Sequence, residues 1–143
     1  IMKNLNDILR LIKTKTREFE KSQTLRFKDF IKPNWRPLSD KLNFIGVYLI
    51  YENKNKLIYV GHAGKGKHFL KYRIADLFHD DPFKLTLTKK LLTKIKRFKN
   101  IEELRKFYLE QCSFRIIQMD NVRDARIIEA ILISLLKPKY NEE

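Results

Sequence analysis

The sequence predicts an α+β fold, and three observations carry that prediction. Residues 44–51 and 57–61 are short runs dense in β-branched and aromatic side chains, parted by a polar break over 52–56, which is the pattern of a β-hairpin. Residues 113–119 alternate well enough for a third strand. Much of the remaining chain repeats apolar residues at the spacing of an amphipathic helix.

Size and composition set the frame. At 143 residues, 43% of them hydrophobic, the chain is one domain's worth with material for a real core. No apolar run approaches the roughly 20 residues that span a bilayer, and the basic start lacks a signal-type apolar segment and cleavage site. The expectation is a cytoplasmic protein. A single cysteine, Cys112, excludes a disulfide framework and a cysteine-based zinc site. Lys and Arg number 31 against 17 Asp and Glu, a net charge of +14, and the excess lies in the first two thirds; residues 62–100 alone hold 11 basic residues and 3 aspartates. Such a field attracts a polyanion, and nucleic acid is the usual one.

The elements follow in order. Leu5, Ile8, Leu9, Ile12 and Phe19 lie near helical spacing with Lys and Arg between them, predicting a packing helix over residues 3–20. Pro33, Trp35 and Pro37 then break regularity. Trp35 is either a core plug or a base-stacking platform, and a lone tryptophan is more often buried for its area. Along a strand, side chains alternate between faces, so a hairpin connection with an even number of residues puts Tyr48 and Tyr59 on one face and an odd number separates them. Gly46 and Gly61 leave backbone uncovered beside them. The hairpin is thus either an open floor for a ligand or a core element with half-buried tyrosines.

After Gly61 come His62 and a basic loop in which Gly64 and Gly66 alternate with Lys65 and Lys67, without Walker spacing. A helix is expected from His68, with Leu70, Ile74, Leu77 and Phe78 on its buried stripe and Lys71 and Arg73 beside it. An arginine at that edge can lay its stem over the core and hold its fork toward a phosphate; a solvated helix arginine is the plain alternative. Asp80, Asp81 and Pro82 should close this helix and open another, buried through Leu87, Leu91, Leu92, Ile95 and Phe98. Lys89, Lys90, Lys94, Lys96 and Arg97 cover its other side, as a nucleic-acid backbone contact or as an ordinary solvated face. Residues 101–111 form a short helix pattern. Asp120 and Asn121 then cap a helix that Pro138 stops. Between Ile127 and Leu136 all but two residues are apolar, so this helix is expected to be buried nearly all round, with Glu129 inside. A carboxyl group there must be protonated, paired with a base such as Arg73 or Arg126, or bound to a metal.

Taken together, these residues resemble the GIY-YIG nuclease superfamily. Gly46, Val47 and Tyr48 stand for its first motif, and Tyr59, Val60 and Gly61 for its second. Arg73 matches the arginine of the following helix, Glu129 the metal-binding glutamate, and Asn141 the asparagine after it. The closing segment is similar to the branch that serves bacterial nucleotide-excision repair, with His62 where that branch often has lysine. The resemblance covers about residues 44–141 and implies a small three-stranded antiparallel sheet flanked by helices; the expected division is 41–143 as the nuclease-like domain and 1–40, which the resemblance leaves unexplained, as an N-terminal helical extension. It implies a DNA endonuclease using Mg2+ or Mn2+ at Glu129, with one of Tyr48 and Tyr59 as general base and the other orienting. Arg73 would meet the phosphate, His62 would shuttle a proton or contact phosphate, and Asn141 would orient the site; His68 and His79 would be bystanders. Lys65, Lys67, Lys71, Lys89, Lys90, Lys94 and Arg97 would bind DNA, duplex or branched, with RNA a weaker candidate. A DNA-repair role follows from the same branch. The alternative is a nucleic-acid-binding module of the same fold without turnover.

Overall fold

The computed structural model describes residues 4–38, 40–81 and 84–141. Its centre is a three-stranded antiparallel sheet in the order β2-β1-β3, formed by β1 (Gly46–Glu52), β2 (Lys56–Ala63) and β3 (Cys112–Gln118). Helices cover both faces. On one side Tyr48, Ile50, Ile58 and Phe114 join Leu70 and Ile74 of α2 (Leu70–Asp76), Leu87 of α3 (Thr86–Lys89), Leu104 and Tyr108 of α4 (Ile101–Gln111), and Phe27 in the main core. On the other, Val47, Leu49, Val60 and Ile117 pack under Ala125 and Ile128 of α5 (Val122–Leu136), flanked by Leu11, Ile12 and Phe19 of α1 (Leu5–Lys21). No described helix is long and apolar enough to cross a membrane.

The hairpin resolves the question of faces in an unexpected way. Glu52 pairs with Lys56 across a three-residue turn in which Asn53 and Lys54 both take positive φ, 53° and 73°. An odd connection of that kind would separate the two tyrosines. Between Ile50 and Tyr51 the register slips by one, so Tyr51 faces Leu57 while Ile50 faces Tyr59, and Ile58 is the extra residue. This bulge brings Ile58 and Tyr59 alike to the main core, on the side where Tyr48 lies. Opposite Tyr48 is Gly61, and a Cβ there would collide with the Tyr48 hydroxyl. The second motif needs its glycine because a phenol lies across it.

Three expectations need correction. The stripe of α1 is buried only in part: Leu5 and Leu9 are exposed, because the helix is tied down at its C-terminal half. There Lys15 Nζ donates to the Gln118 carbonyl (2.8 Å), while Arg115 donates to the carbonyls of Phe19 (2.6 Å) and Ser22 (3.0 Å). The helix expected over Leu87 to Phe98 is short, since α3 passes into a π turn over Lys90–Lys94 and Lys96 turns left-handed (φ 55°), leaving Ile95 exposed. Finally, α5 is not enclosed. Only Asp124, Ala125 and Ile128 are buried, and Leu135 is 74% exposed, because a three-stranded sheet offers a cover for one side of the helix. Its capping is as expected: Asn121 accepts from the Asp124 amide (2.8 Å), and the chain leaves through left-handed Lys137 before Pro138. Pro82 lies outside the described residues. Trp35 takes the plug role, stacked on Phe78 at 5.5 Å with the Arg105 guanidinium 4.4 Å from its ring.

Candidate active site

The site gathers at the outer edge of β2. Tyr48 is 2% exposed, with its ring 6.3 Å from that of Tyr59, which is only half-buried and faces a groove. Burial pushes the Tyr48 hydroxyl well above the ordinary phenol value; Tyr59 and the Glu129 carboxylate add to the rise, and the Arg73 guanidinium opposes it. Tyr59 is raised too, first by burial and then by Glu129, with Thr86 and Arg73 pulling it back. Tyr48, Tyr59, Arg73 and Glu129 therefore share one electrostatic neighbourhood, although they come from β1, β2, α2 and α5. For both phenols burial outweighs the opposing pull of Arg73.

Glu129 is not a core carboxylate. Its side chain is 22% exposed, and its Oε2 lies 3.0 Å from Nδ1 of His62. The partner is neither Arg73 nor Arg126 but the residue after the second motif, because His62 points from β2 toward α5 while Tyr59 points to the other layer. Arg73 sits instead at the Asp76 carboxylate, 3.6 Å away, with the Lys84 carbonyl at 3.5 Å. Asp76 is half-buried, and burial raises its carboxyl more than Arg73 lowers it.

Asn141 closes the edge of β2. Its Oδ1 accepts from the Val60 amide (2.7 Å), its Nδ2 donates to the Val60 carbonyl (2.8 Å), and the Tyr140 amide donates to the Ile58 carbonyl (2.8 Å). This tail strap passes both sides of Tyr59 and is held from beyond: Lys90 Nζ donates to the Tyr140 carbonyl (2.8 Å), and Arg97 donates to the Tyr140 hydroxyl (2.8 Å) and to Glu52 (2.6 Å). A groove of about 380 Å³ runs between strap and α3, lined by Tyr59, Thr86, Lys89, Lys90, Thr93, Lys94, Tyr140 and Asn141. Lys89, Lys90 and Lys94 thus line the same groove as Tyr59 and Asn141. Arg97 is spent on the clamp. Lys71 is paired with Asp40 (2.6 Å) in a separate cleft, and Lys65 is exposed in the loop after β2. Lys67 falls in the turn Gly66–His68, but its side chain lies outside the described residues. His68 is exposed and His79 accepts from the Asp81 amide (3.0 Å). Sequence reasoning missed Thr86, Tyr140, Asp76 and the Glu52 to Arg97 pair; only the Arg73 to Asp76 spacing of three on a helix was a readable signal.

The donor set suits a hard cation. Among the described residues no three His, Cys, Asp or Glu side chains converge as a metal cage. A single partly exposed carboxylate with one oxygen on His62 does fit an ion that prefers oxygen and keeps several waters.

No family model matches the chain. It is 36% identical over 96 residues to UvrABC system protein C of Wolinella succinogenes, covering 67% of this chain and 14% of that protein. It is likewise 36% identical over 99 residues to UvrABC system protein C of Aliarcobacter butzleri, covering 69% of this chain and 14% of that protein. The chain spans about one seventh of the length of these relatives. Among solved structures, a GIY-YIG N-terminal endonuclease domain of UvrC from Thermotoga maritima is 26% identical, with 71% of this chain and 86% of that one covered at a TM-score of 0.41. A magnesium-bound form of the same domain is 24% identical, with 78% and 100% covered at a TM-score of 0.42.

Proposed function

We propose that the chain is a GIY-YIG-type domain, on the motifs it carries and its similarity to part of UvrABC system protein C, and that it is a divalent-metal-dependent endonuclease that hydrolyses DNA phosphodiesters. The reading is supported by the two tyrosine rings lying 6.3 Å apart, by the electrostatic influence of Arg73 and Glu129 on both phenols, and by the lysine-lined groove beside Tyr59. Mg2+ or Mn2+ at Glu129 would supply neutralisation of charge on the phosphoryl and leaving oxygens. The protein's own groups do the rest. Arg73 offers its planar fork to the phosphate. Both phenols are protonated at neutral pH, and a phenol becomes a base only where added positive charge offsets the Glu129 carboxylate. Of the two, Tyr59 has surface in the groove where a water can meet it, so Tyr59 is the base and Tyr48, enclosed over Gly61, orients it. Asn141 keeps β2 and Tyr59 in place through the Val60 peptide.

The groove lysines contact backbone rather than bases, which makes the binding independent of sequence. One site per chain breaks one strand per encounter, and a place in DNA repair is part of this proposal, drawn from the resemblance of the closing segment to the excision-repair branch. The test is incubation of supercoiled plasmid with the protein and Mg2+ or Mn2+. Nicking that disappears in Glu129→Ala while DNA binding persists is the expected result. Nicking that survives Glu129→Ala, or needs no divalent ion, overturns the reading, and binding without any cutting identifies an inactive module of the same fold.

A further inference from the structure

We infer that His62 is a positioning residue for the Glu129 carboxylate, holding it through Nδ1 so that the remaining oxygen is fixed for a divalent cation. The inference rests on the reading of Glu129 as the cation-holding residue and goes beyond it. An ionised carboxylate can only accept, so the 3.0 Å contact requires the proton on Nδ1. The bond spans two elements: His62 is anchored in β2 opposite Val47, and Glu129 rides on α5 one residue past the buried Ile128. Glutamate reaches its target through several rotatable bonds, and among the described residues no other carboxylate, imidazole or thiolate pair joins it to make a cage. Where one carboxylate must hold the ion, whatever fixes its orientation beforehand governs affinity. Among the described residues Glu129 makes its hydrogen bond to His62 through Oε2 alone, which leaves Oε1 as the oxygen for the ion.

Two variants separate this role from others. In asparagine the side-chain amide nitrogen stands at the same bonded distance from Cβ as Nδ1 does in histidine, so His62→Asn keeps the donor to Glu129 but lacks the second ring nitrogen; His62→Ala lacks both. Binding of Mn2+ alone to the full chain is measured by calorimetry, with melting curves taken without metal to verify folding. The expected result is that His62→Ala weakens Mn2+ binding by about 10–100-fold while His62→Asn stays close to the unmodified protein. Unchanged affinity in a folded His62→Ala overturns the inference and leaves the nuclease reading standing. Equal weakening in both variants makes the ring a ligand and overturns it as well. If the unmodified protein binds no Mn2+, or Glu129→Ala binds it equally well, the reading of Glu129 itself falls and the inference with it.

Discussion

Gly61 and Tyr48 constrain each other. A methyl group at position 61 would occupy the space of the Tyr48 hydroxyl, so Gly61→Ala must displace a ring that is otherwise enclosed. Overpacking of this kind costs about 1–3 kcal/mol, and equilibrium urea unfolding should show that loss together with a fall in cleavage. Tyr59→Phe tests the opposite case. Its ring keeps the same packing, so stability should hardly change, whereas loss of a general base should lower turnover by about 100-fold or more. A cleavage rate within a few-fold of the unmodified protein would show that the proton goes elsewhere.

At the level of elements, the Arg97 clamp links the end of β1, the segment after the π turn and the tail strap. Arg97 holds the buried Glu52 carboxyl below the ordinary glutamate range, chiefly by its hydrogen bond. A carboxyl depressed in the folded state contributes stability that is present above its unfolded value and is lost as pH falls through the folded value. Arg97→Ala should therefore lower stability at neutral pH by about 1–3 kcal/mol, the cost of leaving a buried acceptor unpaired, and flatten the decline on acidification. Urea titrations at several pH values measure both. None of this was legible beforehand, because Arg97 shares its composition with solvated lysines and its partners lie 45 and 43 residues away. What could be read were the features that local pattern dictates: the strands, the buried stripe of α2, and the Asn121 cap. The bulge at Ile58 was not, since only its pairing with β1 reveals it, and the exposure of α5 depended on how wide a sheet would form beneath it.

For the whole molecule, charge and cover are the relevant quantities. With a net charge of +14, DNA affinity should fall steeply with salt. Lys94→Ala, in the groove, should make the log-log slope shallower by about one, while Arg97→Ala, whose fork is taken up by Glu52 and Tyr140, should leave the slope unchanged. Filter binding or anisotropy across a salt series distinguishes them. The first residues matter for stability in a different way. Phe19, Leu11 and Ile12 cover the second cluster, and Leu25 exchanges both backbone hydrogen bonds with Phe114 at the edge of β3 (2.8 and 2.9 Å). Removing residues 1–22 should uncover part of that cluster and lower the urea midpoint markedly; an unchanged midpoint would mark α1 as dispensable.

The tail strap also bears on motion at the chemistry. Inward, the peptide of Tyr59 pairs with Ile50; outward, its neighbours Ile58 and Val60 are tied by Tyr140 and Asn141. Amide protons at Tyr59 and Val60 should thus exchange with deuterium only when the entire domain opens, at a rate shared with the deepest strands. The phenol proposed to activate the nucleophile is thus mounted on backbone tied on both sides, and any adjustment to an incoming strand falls to the half-open carboxylate and the lysines opposite.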